Sequence, residues 1–173
     1  MKIIQNLLIL TLLIQSCKEN SAISSVNPVN WDKRTIQSGL PDSLVYGTSY
    51  LSVYSQIYSY SEHRTHNLTV TVSMRNVNKA DTVYLRKAEY FDTKGKSIRT
   101  YFEKTIFIEP METVEIVIAE HDQEGGTGAN FIFDWAIKPN SHEPFFEGVM
   151  ISTSGQQGIS FTTQGQKVNT YGN

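Results

Sequence analysis

The sequence predicts an all-β domain, an antiparallel sandwich of the immunoglobulin-like kind with about eight strands; a small closed β-barrel is the alternative. Three observations carry this. Apolar residues recur at every second position through most of the chain from about Tyr46 onward. Turn-forming residues interrupt these runs at short intervals. No segment of that body sustains an apolar stripe at i, i+3, i+4, so little helix is expected.

In chain order, a strand over 49–60 comes first. Leu68, Val70, Val72 and Met74 alternate with Thr69, Thr71, Ser73 and Arg75, the cleanest half-buried strand pattern in the chain. Further strands are expected over 82–91 and 97–108. Asp92-Thr93-Lys94-Gly95 between them reads as a type I turn with glycine in the left-handed position, closing a hairpin. Pro110 cannot donate to a ladder, and Glu109-Pro110-Met111 interrupts the chain between the 97–108 strand and the next. Val114, Ile116 and Ile118 alternate with Thr113 and Glu115. The Gly125-Gly126-Thr127-Gly128 string forces a loop, after which Phe131, Phe133, Trp135 and Ile137 alternate with Ile132, Asp134, Ala136 and Lys138. Strands over 145–153 and 158–163 complete the set.

The 173 residues carry 15 Lys+Arg and 17 Asp+Glu, a net charge of -2. A nucleic-acid partner would call for a basic excess, and there is none. A single cysteine excludes an internal disulfide framework and any multi-thiolate metal site.

That cysteine belongs to the amino-terminal segment. Lys2 is the only charge before Cys17, and the apolar stretch Ile3–Ile14 would reach ~18 Å as a helix, short of the ~30 Å hydrocarbon core. It reads as an export signal and not a span. Leu13-Ile14-Gln15-Ser16-Cys17 resembles the lipobox of bacterial lipoproteins. The resemblance implies cleavage before Cys17, a diacylglycerol on its thiol and an acylated amine. Two or three acyl chains give a stable anchor where one is marginal. The expected organisation is a signal peptide over 1–16, acylated Cys17 and a Ser/Asn-rich tether over 17–45, the sandwich over 46–168 and a tail over 169–173. Trp31 and Ile36 interrupt the tether and are expected to dock on the domain. The place implied is the cell envelope, lipid-anchored to a membrane and periplasmic or outer-membrane associated.

Several strings of the body resemble the bacterial family known as domain of unknown function 3124. They are Tyr50–Tyr58, Met74-Arg75-Asn76, Tyr90–Lys96, Gly125–Phe131, Gly148–Ile151 and Gly158–Thr162. The resemblance runs over roughly 46–166. It implies an exported, often lipid-anchored domain with no assigned reaction.

Candidate sites follow from residue chemistry. Tyr50, Tyr54 and Tyr58 share one parity, with Leu51, Val53 and Ile57 on the other; an exposed aromatic row would stack on a glycan or a peptide. The amides of Gly125, Gly126 and Gly128, with Asn130 beside them, could nest an anion, although Glu120, Asp122 and Glu124 would repel one. No helix follows to make a P-loop. His63, His66 and His121 are weak candidates for a metal, with 62–67 read as a loop. Ser152, Ser154 and Ser160 lack a nucleophile-elbow context. No catalytic residue and no cofactor are assigned. The leading expectation is a non-enzymatic binding module for an envelope protein or glycan. A metal-binding or metal-dependent hydrolytic enzyme built on His63, His66 and His121 is the alternative.

Overall fold

The computed structural model describes residues 29–153 and 158–168. The expected signal peptide, Cys17, Ser154 and the tail over 169–173 lie outside these residues.

Among these residues one short helix, α1 (Trp31–Arg34), precedes twelve strands. These are β1 (Val45–Val53), β2 (Gln56–Ser59), β3 (Ser61–Asn67), β4 (Thr69–Arg75), β5 (Val83–Phe91) and β6 (Ser97–Thr100), then β7 (Ile106–Ile108), β8 (Thr113–Ile118), β9 (Ala129–Ile137), β10 (Phe145–Ser152), β11 (Ile159–Gln164) and β12 (Gln166–Val168). One sheet runs β12-β1-β9-β5-β6, with β7 also on β5; a second runs β11-β10-β4-β8; β2 and β3 form a separate hairpin. Every pairing within these sheets is antiparallel. The fold is a sandwich and is not closed into a barrel.

The alternation of β4 and β8 does what the sequence predicts. Val70, Val72, Met74, Val114, Ile116 and Ile118 face inward. Leu51 and Val53 of β1 and Phe131, Phe133 and Trp135 of β9 oppose them. Phe133 stacks on Phe146 of the opposite sheet at 4.2 Å between centroids, joining the layers. Each such ring, fully buried, contributes roughly 2–3 kcal/mol relative to exposure. Two glycines permit close approaches. A Cβ on Gly47 would lie 2.2 Å from the Trp135 ring, whose Nε1 donates to Ser49 Oγ at 2.9 Å. At Gly165 the chain crosses from one sheet to the other, and its amide donates to Phe146 O.

Twelve strands replace the expected eight for local reasons. The 49–60 segment divides at Tyr54-Ser55, and 97–108 divides into β6 and β7. The 62–67 stretch, expected as a loop, is most of strand β3. A bulge at Arg86, between Leu85 and Lys87, inverts the parity of β5, so that Val83 and Leu85 and then Ala88 and Tyr90 point inward.

The tether docks where it is described. Trp31 packs on Phe102 at 5.2 Å, Arg34 makes a two-pronged ion pair with Glu112, and Thr35 bridges to Ile106. The Glu112 hydrogen bond raises the Arg34 pKa, and its counterpart holds the Glu112 carboxyl below its ordinary range.

Candidate functional site

Ser55 marks the end of the sandwich where most candidates gather. After Val53 the chain leaves the sheet. Tyr54 packs edge-on against Phe161 at 5.8 Å, and Ser55 is fully buried. Leu68 N donates to Ser55 O at 2.9 Å, closing the base of the β2–β3 hairpin, and Gln56 N donates to Gly126 O at 3.1 Å, tying that base to the glycine loop.

The loop is packed as tightly as the core. A Cβ on Gly125 would lie 1.9 Å from Tyr90 Oη and 2.8 Å from Ser55 Oγ, so only glycine lets Tyr90 and Ser55 share their 2.8 Å hydrogen bond. Gly125 O accepts from the amide and the hydroxyl of Thr93, and Thr93 Oγ1 accepts from Gly128 N. Gly126, at φ +71, has the left-handed conformation that favours glycine. Its amide donates to Gln123 O. The amides of Gly126 and Gly128 are thus spent inside the loop and do not form an anion nest. Thr93 itself sits in the expected turn, where Asp92 accepts from the amides of Lys94 and Lys96 and Gly95 has φ +78.

Beneath the loop lies a charged pair. Arg99 donates to Asp122 at 2.9 Å and to Glu124 at 2.8 Å, with its guanidinium 5.9 Å from the centre of the Tyr90 ring. Burial, the largest single influence, disfavours the Arg99 cation, but the hydrogen bonds to Asp122 and Tyr101 and the charge interactions with the same two groups together exceed it and raise the pKa. Burial pushes the Tyr90 phenol well above its ordinary value. Asp122 is only 5% exposed, and its Oδ1 has no hydrogen-bond partner among the described residues. No spacing in the sequence links Ser55, Tyr90, Arg99 and Asp122, so sequence reasoning did not single out this cluster.

The hairpin projects from this base. Tyr58 and Tyr60 are 61% and 94% exposed, and the Arg64 guanidinium lies 5.2 Å over the Tyr60 ring. Tyr60 turns the chain at φ +64, a conformation costly for a bulky residue. Gln56 donates to Thr65 and Asn67 across the hairpin.

The three tyrosines of one parity do not form one row. Tyr50 stays on the outer face of β1 at 38% exposure, Tyr54 is packed, and Tyr58 stands on the hairpin. Asn130 lies in the β9 ladder opposite Ser52 and Phe91, not in the loop. His63 and His66 lie on β3, where an odd separation sends side chains to opposite faces. His63 stands by Glu62 at 3.6 Å on the open surface, and His121 is exposed after β8. No group of three metal-ligating side chains forms among the described residues. Ser152 is buried in β10 and Ser160 exposed on β11. His142 is held through its backbone by Asn78, which Asn76 holds in turn.

Three of the six strings that carry the family resemblance meet at this end. Tyr50–Tyr58 supplies Ser55 and Gln56, Tyr90–Lys96 supplies Tyr90 and Thr93, and Gly125–Phe131 supplies the loop and Phe131, which stacks on Tyr90 at 4.7 Å. The family model described as "Protein of unknown function (DUF3124)" matches residues 46–168. No curated protein matches the chain. Among solved structures, that titled "Crystal Structure of Thermotoga maritima 1070" is similar with a TM-score of 0.44 at 8% identity, covering 69% of this chain and 92% of that one. The chain belongs to the DUF3124 family.

Proposed function

We propose that this member of the family is a lipid-anchored cell-envelope protein, held in its membrane through Cys17, that binds an envelope partner through the β2–β3 hairpin and performs no catalysis. The observation that carries the binding surface is Tyr60. Its ring is almost wholly in water, and its backbone occupies a strained region that glycine would fill at no cost. Folding gains little from such a residue, whereas a partner gains a rigid ring with a polar tip beside Arg64. The buried Ser55–Tyr90–Gly125 packing gives the hairpin a firm base. The anchor rests on the lipobox-like string ending at Cys17.

Two measurements test the reading. Cys17→Ser should release the protein into soluble fractions or stall its processing; a processed variant still held tightly by membranes would refute the anchor. Chemical cross-linking of the intact lipoprotein in its own envelope should yield a specific adduct that falls at least about tenfold in Tyr60→Gly, the loss of roughly one hot-spot contact. Equal adduct yield from the two proteins would refute the hairpin as the binding surface.

A further inference from the structure

Two exposed apolar side chains share the end of the sandwich opposite the hairpin. β4 spans the distance between the ends. Leu68, just before it, is bonded to Ser55 at the hairpin base, and Asn76-Val77 follow it about 23 Å away. At that far end Glu109-Pro110-Met111-Glu112 makes a turn, closed by Glu112 N donating to Glu109 O at 3.1 Å. Proline is second, and Met111 is third at φ +61, the place a type II turn keeps for glycine or asparagine. A second turn at this end, Lys138-Pro139-Asn140-Ser141, is closed the same way and obeys the rule, with asparagine at φ +68. Met111 breaks it, and Met111 is 65% exposed. Val77, 45% exposed, lies beside it, because Asn76 N donates to Glu112 O and Met111 N donates to Asn78 O on either side of Val77. The buried Asn76–Asn78 network holds this part of the chain in place.

We infer that this end of the sandwich rests on the bilayer that holds the anchor, with Met111 and Val77 entering its interfacial layer; the inference builds on the Cys17 anchor proposed above. Where the tether meets the domain selects the surface. Val29 shares a hollow with Phe107, Glu109 and Glu112, against the Met111 turn. The Arg34–Glu112 ion pair and the Thr35–Ile106 bridge hold the chain that follows, so the tether leaves the domain at this end. Val29 lies twelve positions after Cys17. A chain of that length, fully extended, reaches ~40 Å at most. The end that carries Met111 is therefore the one kept over the membrane. A bilayer needs no shaped pocket to take up apolar side chains at its headgroup boundary. Methionine, unbranched and adaptable, suits a fluid partner better than a fixed one. Charge does not oppose the approach. Asp81 pairs with Lys138 and Glu112 with Arg34, while Glu109 faces the nearby Lys33 and Lys79. The hairpin then stands at the end away from the bilayer, where a partner can reach it.

The test uses the intact lipoprotein in vesicles of phosphatidylethanolamine and phosphatidylglycerol. With Cys17, the single cysteine, acylated, one introduced cysteine takes one thiol-reactive nitrobenzoxadiazole dye. It is introduced as Lys79→Cys, at an exposed position close to Val77, or as Tyr60→Cys at the hairpin. Nitroxide-bearing phospholipids should quench the dye at 79 at least about threefold more than at 60, and the quenching at 79 should fall by about half or more in Met111→Gly, which gives up one side chain's burial. Glycine fits the turn, so Met111→Gly should still float with the vesicles and melt no lower than the wild type. A wild type that does not float with the vesicles overturns the Cys17 anchor and the contact with it. A floating protein quenched no more at 79 than at 60, or one whose quenching is indifferent to Met111→Gly, overturns the contact and leaves the anchor standing.

Discussion

Gly125→Ala tests the packing that holds the hairpin and loop together. The new Cβ would meet Tyr90 Oη at 1.9 Å, Ala129 Cβ at 2.7 Å and Ser55 Oγ at 2.8 Å. A carbon–oxygen contact needs more than 3 Å, so the phenol must retreat by over an ångström. Its ring is fully buried and stacked on Phe131, and retreat breaks the 2.8 Å bond to Ser55. Overpacking costs roughly 1–3 kcal/mol and a broken buried hydrogen bond roughly 1–3 kcal/mol. We expect about 3 kcal/mol in urea denaturation, and a melting temperature lower by about 10 °C for a domain of this size. Tyr90→Phe alone should cost about 1 kcal/mol, because it leaves the Ser55 hydroxyl unpaired. The decisive variant combines the two. Deleting Oη removes the worst clash, so the double mutant should be more stable than the sum of the single effects by at least about 1 kcal/mol. Additivity within about 0.5 kcal/mol, or a Gly125→Ala protein that melts like the wild type, would refute the geometry.

Trp135→Ala should cost about 3–5 kcal/mol by urea denaturation, since it empties the space under Gly47 and leaves Ser49 without its indole donor; an unchanged midpoint would place that ring outside the core. Glu112 should shape acid stability: its folded pKa lies below the usual 4.5 because Arg34 donates to it, so its contribution is complete above pH 4.5 and disappears as pH falls through the lower folded value. Glu112→Gln should therefore be about 1 kcal/mol less stable at neutral pH and lose less than the wild type on acidification, and parallel stability curves from pH 7 to 3 would contradict the pairing. Tyr60→Gly should melt at the same temperature or higher, by up to about 1 kcal/mol of relieved backbone strain, while losing partner cross-linking; a marked loss of stability would show that the ring serves folding.

How legible each element was depends on what it faces. β4 could be read because it pairs with β8 and β10 and keeps a polar, mostly half-buried outer face, which writes a period of two into the sequence. β5 is as buried, yet its extra residue at Arg86 shifts the phase halfway, and a period broken in the middle looks weak. β3 was missed altogether: Ser-Glu-His-Arg-Thr-His-Asn is exposed along most of its length and so has no apolar face to announce it. The division of 49–60 has no Gly or Pro to mark it, because Ser55 turns the chain through contacts with Tyr90 and Leu68, 35 and 13 positions away. The glycine string was visible as a loop. That its glycines exclude side chains from Tyr90 and Thr93, and do not collect an anion, depends on contacts that no local pattern encodes.

Buried polar groups distinguish structural work from binding work. Around Asn76 the accounting is closed. Its amide donates to Asp81 O and Ile108 O, its oxygen accepts twice from Asn78, and Asn78 spans to both backbone groups of His142. Every polar atom named there has a partner within the protein, as a network that pins three loops requires, and such a network needs no ligand to explain it. The Ser55–Asp122 end differs. It keeps a carboxylate oxygen buried with no hydrogen-bond partner among the described residues and a tyrosine in a strained turn, and it points its exposed rings outward. Sequences fold best when such conflicts are absent, so conflicts retained together at one end argue for a use other than folding. The hairpin is for that reason the surface on which a partner should first be sought.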